Sequence, residues 1–150
     1  MSIAARIHSS ATPALRVLNL AGVEYSVHEF DHDPAVRRYG PEAVEQLGTD
    51  SARVFKTLMI LVDAEPVIAL VPVSGPLDLK ALAGVLGGKK AHLAGIAETE
   101  RRTGYVAGGV SPFGQRNASP VVLDRTAQDF STVFVSAGRR GMEIEIRPDD

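Results

Sequence analysis

Val54–Asp63 reads VFKTLMILVD, and its pattern decides the fold. A strand with one wet face alternates apolar with polar residues. This one is apolar on both faces, which places it inside a sheet covered on both sides. Lys56 alone interrupts it. A period of two sets Lys56 with Val54, Leu58, Ile60 and Val62, so its ammonium must escape along its stem at the strand end or meet an anion. Ala64–Pro66 is expected to turn the chain, and Val67–Val73 to return as a second strand of a hairpin.

Working outward, Thr12-Pro13 followed by ALRVLNLA and Gly22 predicts a helix with a hydroxyl N-cap, proline in its first turn and glycine past its end. Tyr25–Phe30 alternates as a strand, which Asp31–Pro34 breaks. Pro41–Leu47 with Gly48 predicts a short helix. Beyond the hairpin, Leu77–Leu86 predicts a helix with Asp78 in its first turn and Gly87-Gly88 as terminator. Glu98–Arg102 is a brief helix. Pro120–Leu123 and Val133–Ser136 are short strands around a helical turn at Thr126–Phe130. Ala137–Gly141 is a glycine turn. Met142–Ile146 then sets Met142, Ile144 and Ile146 on one face and Glu143 with Glu145 on the other. No repeat or linker interrupts this order, so residues 1–150 are expected to form one domain, long enough to bury about two-thirds of its unfolded surface. The sequence stops at Asp150, where a further helix could follow.

The chain is 45% hydrophobic with three Tyr, five Phe and no Trp, which suits an ordinary mixed core. It has no cysteine, which excludes disulfides, thiolate metal sites and a cysteine nucleophile. MSIAARIHSS has no sustained apolar centre and no run approaches membrane-spanning length, so a cytoplasmic protein without a membrane partner is expected. The formal net charge of −2 gives no general attraction to nucleic acid, and DNA is not an expected partner. Its distribution is uneven. Residues 79–141 hold nine Lys and Arg (Lys80, Lys89, Lys90, Arg101, Arg102, Arg116, Arg125, Arg139, Arg140) against four Asp and Glu. On charge alone that is a solvated surface, but the pairs stand beside glycine turns, as a phosphate-contacting rim would.

The second informative stretch is Thr103–Gln115, TGYVAGGVSPFGQ. Its glycines and proline describe a shaped loop whose backbone N–H groups can face a ligand, and Gly108-Gly109 permits close approach. Several chemistries are excluded. Gly109–Phe113 is not G-x-S-x-G, because Phe113 holds the fifth position, and neither a Walker loop nor G-x-G-x-x-G occurs. His28, Asp31, His32 and Asp33 fall within six residues but lack the spacing of a metal site, so no metal and no cofactor are expected. Lys56 gains weight from the two glycine turns and Ser136, which together can build a pocket around an ammonium.

In this combination the chain resembles the bacterial YbaK/EbsC-type Cys-tRNA(Pro) deacylases, relatives of the editing domain inserted in prolyl-tRNA synthetases. The blocks TPALRVL (12–18), HEFDHDP (28–34), VFKTL (54–58), LDLKALA (77–83), RTGYVAGGVSPFGQ (102–115) and VFVSAGRRGMEIEI (133–146) carry the resemblance, in the same order.

The resemblance implies an α+β fold with a curved, partly barrel-like mixed sheet flanked by helices. It implies hydrolysis of the ester joining a wrong amino acid to tRNA(Pro), Cys first and Ala second, with prolyl-tRNA synthetase as an associated partner. Lys56 then becomes the residue on which activity depends most, with Gly108 and Gly109 offering backbone contact to the aminoacyl group. Phe30, Val110, Ser111, Pro112, Ser136 and Glu143 become the substrate-binding set. Phe30 departs from the tyrosine common at that position, and Glu143 from a frequent aspartate. Lys80, Lys89, Lys90, Arg101, Arg102, Arg139 and Arg140 would meet tRNA. An aminoacyl ester is already activated, so a site need only hold it and steer water or the substrate's own side chain at the carbonyl. The rival expectation is a noncatalytic module that binds tRNA ends or a synthetase.

Overall fold

The computed structural model describes residues 12–150; the N-terminal stretch MSIAARIHSS lies outside them. Helix α1, Pro13–Ala21, begins where the Thr12 hydroxyl accepts the Leu15 N–H and ends on Gly22 at φ +70°. Strand β1 is Tyr25–Glu29, and α2 is Tyr39–Leu47. The latter starts two residues before Pro41, so the proline sits in its first turn.

Strands β2, Phe55–Val62, and β3, Glu65–Pro72, form the expected hairpin, but its turn is Asp63-Ala64 rather than Ala64–Pro66. Both turn residues have positive φ, at 48° and 71°, the geometry that matches the twist of a two-residue hairpin. The Asp63 carboxylate accepts the Lys89 and Lys90 N–H groups at 2.9–3.2 Å, which holds this glycine-free turn in place and sets its pKa below the usual carboxylate value. Helix α3, Leu79–Val85, is capped by Asp78, whose carboxylate accepts the Ala81 N–H. Lys89-Lys90 then lead into a strand the sequence pattern did not announce, β4, Ala91–Leu93. Helix α4, Ile96–Thr103, is longer than its charged centre suggested. Strand β5, Val121–Leu123, a 3-10 turn at Arg125–Asp129, β6, Val133–Arg139, and β7, Met142–Ile146, complete the order.

The class is α+β, with the strands in two sheets that do not close into a barrel. One has the order β1-β7-β6, the other β4-β2-β3-β5, so β2 lies inside its sheet as its two apolar faces require. Among the described residues only β3 and β5 pair in parallel within a sheet. The sheets meet where Val54 bridges Phe134 and the Phe134 N–H donates to the Arg53 carbonyl at 3.0 Å. Helix α1 covers the three-stranded sheet through Ala14, Leu15 and Leu18 against Val135 and Ile144, α3 packs Leu82 and Ala83 on Ile60 and Val67, and α2 sets Ala43 on the Val54–Phe134 seam. One cavity opens beside the seam, with Val54 in its wall.

Candidate active site

The first turn of β2 past the seam, α2 and the glycine loop wall a cavity of about 230 Å³. Tyr39, Gly40, Lys56, Thr57, Gly108, Val110, Ser136 and Glu143 are among its lining residues. Residues from four distant parts of the chain therefore meet as expected: Lys56, Gly108, Val110, Ser136 and Glu143.

Four residues of the expected set stand outside that lining. Phe30 packs beside Ala43, Val54 and Phe134, and its N–H donates to the Gly141 carbonyl at 2.9 Å. Gly109 closes a turn by donating its N–H to Val106 O at 2.9 Å, so that donor is already used. Its own role is space, since a β-carbon there would lie 2.9 Å from the Arg140 nitrogen. Ser111 is 0% exposed, and its hydroxyl accepts the Phe113 N–H. That makes it a buried turn residue. Pro112 lines a separate apolar cavity with Phe113, Leu123 and Val133.

The loop is braced on both sides of Gly108. The Ala107 N–H donates to Glu100 Oε2 at 2.8 Å, while Arg140 Nε donates to the Ala107 carbonyl at 2.7 Å. The Arg140 guanidinium also lies 4.9 Å above the Tyr39 ring. Gly108 stands at φ +83°, and its N–H and that of Val110 meet no acceptor among the described residues. Tyr39 was not singled out by the sequence, because it precedes the proline that marks the expected helix start.

Glu143 and Glu145 share a face of β7 and meet opposite fates. Glu143 is 7% exposed at the cavity, and burial pushes its carboxyl up to about 8. Burial also raises Glu145, but hydrogen bonds from Thr132 and His28 and the charge of Arg53 outweigh it, leaving its pKa lowered. Lys56 is half-buried and makes no ion pair within 4.0 Å among the described residues. Ser136 accepts the Gly138 N–H at 3.2 Å, which leaves its hydroxyl proton free for the cavity.

The basic residues separate into two kinds. Lys80, Lys89, Lys90, Arg101 and Arg139 are exposed, Arg139 with its guanidinium 3.9 Å from the Glu29 carboxylate, whereas Arg102 pairs with Glu98 in the partly buried surface and Arg140 is turned into the loop. His28 and His32 are held by different carboxylates, Glu145 at 2.9 Å and Glu42 at 2.7 Å. Among the described residues, no three His, Asp or Glu gather as metal ligands. Among the same residues no helix is long and apolar enough to cross a membrane.

A braced glycine loop, two N–H groups without an acceptor, a lysine and a buried acid surround this one small cavity. The family model described as aminoacyl-tRNA editing domain matches residues 33–150. The chain is 38% identical over 143 residues to EbsC of Enterococcus faecalis, named as a candidate Cys-tRNA(Pro)/Cys-tRNA(Cys) deacylase, covering 92% of this chain and 84% of that one. It is 27% identical over 99 residues to a proline–tRNA ligase of Lactobacillus helveticus, covering 66% of this chain and 18% of that one. A crystal structure described as a candidate trans-editing enzyme for prolyl tRNA synthetase superposes with a TM-score of 0.76 at 24% identity, covering 99% of this chain and 89% of that one. The chain belongs to the aminoacyl-tRNA editing domain family.

Proposed function

We propose that residues 1–150 act as one free-standing editing domain, a trans-acting deacylase that hydrolyses the ester of mischarged tRNA(Pro), with Cys-tRNA(Pro) as first substrate and Ala-tRNA(Pro) as second. The observation that carries this reading is the convergence of Lys56, Gly108, Ser136 and Glu143 on one small cavity. The cysteine named for EbsC and the ligase relationship support the choice of tRNA and of prolyl-tRNA synthetase as partner.

In this reading the ester carbonyl lies over Gly108, and the free N–H groups of Gly108 and Val110 receive the oxyanion that forms on attack. Glu143 meets the substrate's α-ammonium. Their pairing releases the proton that burial holds on the carboxyl. Lys56 fixes a ribose or phosphate oxygen next to the scissile bond, and Ser136 donates to the aminoacyl group. Water adds to the carbonyl carbon, the carbon–oxygen bond to the ribose breaks, and the ribose oxygen leaves with a proton. For cysteine the substrate thiol adds to the carbonyl carbon in place of water, the carbon–oxygen bond to the ribose breaks as the thiol proton passes to the ribose oxygen, and the cyclic thioester released is opened by water in solution, so no protein nucleophile is required. The exposed Lys80, Lys89, Lys90, Arg101 and Arg139 meet acceptor-stem phosphates.

Hydrolysis rates of Cys-, Ala- and Pro-tRNA(Pro) by the wild type and by Lys56→Ala test this. The expected result is release of Cys or Ala, sparing of Pro, resistance to chelator and loss of turnover in the variant. Survival of all three esters alongside salt-dependent tRNA binding would instead establish a noncatalytic module.

A further inference from the structure

Three arginines among the described residues are half-buried: Arg53, Arg102 and Arg140. Two of them have an acid for a partner, Arg53 with Glu145 and Arg102 with Glu98, each at 3.0 Å. Arg140 has none. Among the described residues no carboxylate stands within 4.0 Å of its guanidinium. A cation drawn out of water without a counter-ion costs stability unless other groups hold it, and here two do. Its Nε donates to the Ala107 carbonyl at 2.7 Å, the short distance of a charge-assisted hydrogen bond, and the guanidinium lies 4.9 Å above the Tyr39 ring. Close packing of Gly109 on the Arg139-Arg140 backbone fixes where that side chain starts.

The carbonyl that Arg140 takes belongs to the same peptide unit as the Gly108 N–H. No peptide bond among the described residues is cis, so the C=O and N–H of this unit point in opposite directions. With the carbonyl turned to Arg140, the Gly108 N–H is turned away from it, and that N–H meets no acceptor among the described residues. A positive charge on the carbonyl oxygen draws electron density from the amide nitrogen and makes the N–H a stronger donor, as hydrogen bonds in series polarise one another.

We infer that Arg140 is a positioning residue for the deacylation: it orients and polarises the peptide between Ala107 and Gly108, and so strengthens the Gly108 N–H as a donor to the oxyanion. The inference rests on the deacylase reading. Glu100 has a different part, since it accepts the Ala107 N–H at 2.8 Å and its charge therefore sits on the preceding peptide. Arg140 also differs in consequence from the exposed cations. A phosphate contact acts on tRNA binding, whereas a polarised donor acts where charge develops in the transition state.

Arg140→Gln tests this, because the glutamine Nε2 stands at the same place along the side chain as the arginine Nε and keeps a donor while removing the charge. Deacylation by this variant should show kcat lowered about tenfold, with KM for the mischarged tRNA unchanged. Arg140→Lys returns a cation and should recover most of the rate. A second measurement needs no substrate: base-catalysed solvent exchange of the Gly108 amide proton, read by NMR in the free protein. Loss of polarisation makes that proton less acidic and slows its exchange in Arg140→Gln, whereas a loop that had merely loosened would exchange faster. An unchanged kcat, or a fall in kcat without slower exchange at Gly108, overturns the inference. So does a raised KM with a shallower salt dependence, which would put Arg140 on a tRNA phosphate. If the wild type cleaves no ester, the deacylase reading falls on its own and the exchange rate alone decides: slowed in Arg140→Gln, the polarised donor stands; equal in both proteins, it falls as well.

Discussion

The ring of Tyr39 closes over the α-carbon of Gly108, so tightly that a β-carbon there would lie 2.6 Å from the ring Cγ. Gly108 also occupies φ +83°, which side-chain-bearing residues rarely adopt. Helix α2 and the glycine loop are thus locked through one glycine, and the Arg140 guanidinium presses the ring from elsewhere on its surface.

Gly108→Ala should therefore cost stability through both backbone strain and the clash, about 1–3 kcal/mol. It should also lower kcat/KM about a hundredfold, because the free N–H groups move with the loop. Thermal unfolding and deacylation rates check both effects. The double variant Gly108→Ala with Tyr39→Ala should lose less stability than the two single losses added, since the clash is shared. Strict additivity would show that Tyr39 does not hold the loop.

Glu100 braces the same loop through the Ala107 N–H. Glu100→Ala leaves that donor without its acceptor and should lower kcat about tenfold by letting Gly108 wander. Glu100→Gln retains an acceptor oxygen and should recover most of the rate. Equal loss in both variants would mean that charge, not the hydrogen bond, is what the site needs.

Much of this arrangement was legible in the residues, for reasons that also mark where legibility stopped. Caps and glycines announce α1 because they act locally, and the two apolar faces of VFKTLMILVD announce an inner strand because burial on both sides leaves no polar period. The Asp63-Ala64 turn was displaced in the reading because its support comes from Lys89 and Lys90, twenty-six and twenty-seven residues downstream. Strand β4 was missed for a related reason: it exists only by pairing with β2. In the site, Lys56, Gly108, Ser136 and Glu143 stand together as expected, while Ser111 and Gly109 turned out to shape the loop from within. Tyr39 was invisible because its role is set by a glycine far along the chain, and no local pattern records such a contact.

Thr57 offers a test in which stability and activity move in opposite directions. Its buried hydroxyl has no partner. Thr57→Val replaces it with a methyl group of similar shape and should stabilise the free protein by about 1 kcal/mol. If the hydroxyl serves a substrate, KM rises in the same variant. A variant that is more stable with unchanged KM would assign the hydroxyl no role in binding.

The last test concerns Glu143. Burial raises its carboxyl from the ordinary 4.5 to about 8, so between those values the folded protein keeps a proton that the unfolded chain has released. The folded state binds more protons across that window, and stability therefore falls as pH rises, by roughly 1.4 kcal/mol per pH unit at the steepest. The favourable contribution is complete below about 4.5 and is lost as pH climbs through about 8. Glu143→Gln removes the titrating group while keeping its shape. Thermal unfolding from pH 5 to 9 should show a falling midpoint for the wild type and a flatter profile for the variant, the two curves diverging towards high pH. Parallel curves would mean that the carboxyl ionises freely at the cavity wall, and the proton release assigned to ammonium binding would go with it.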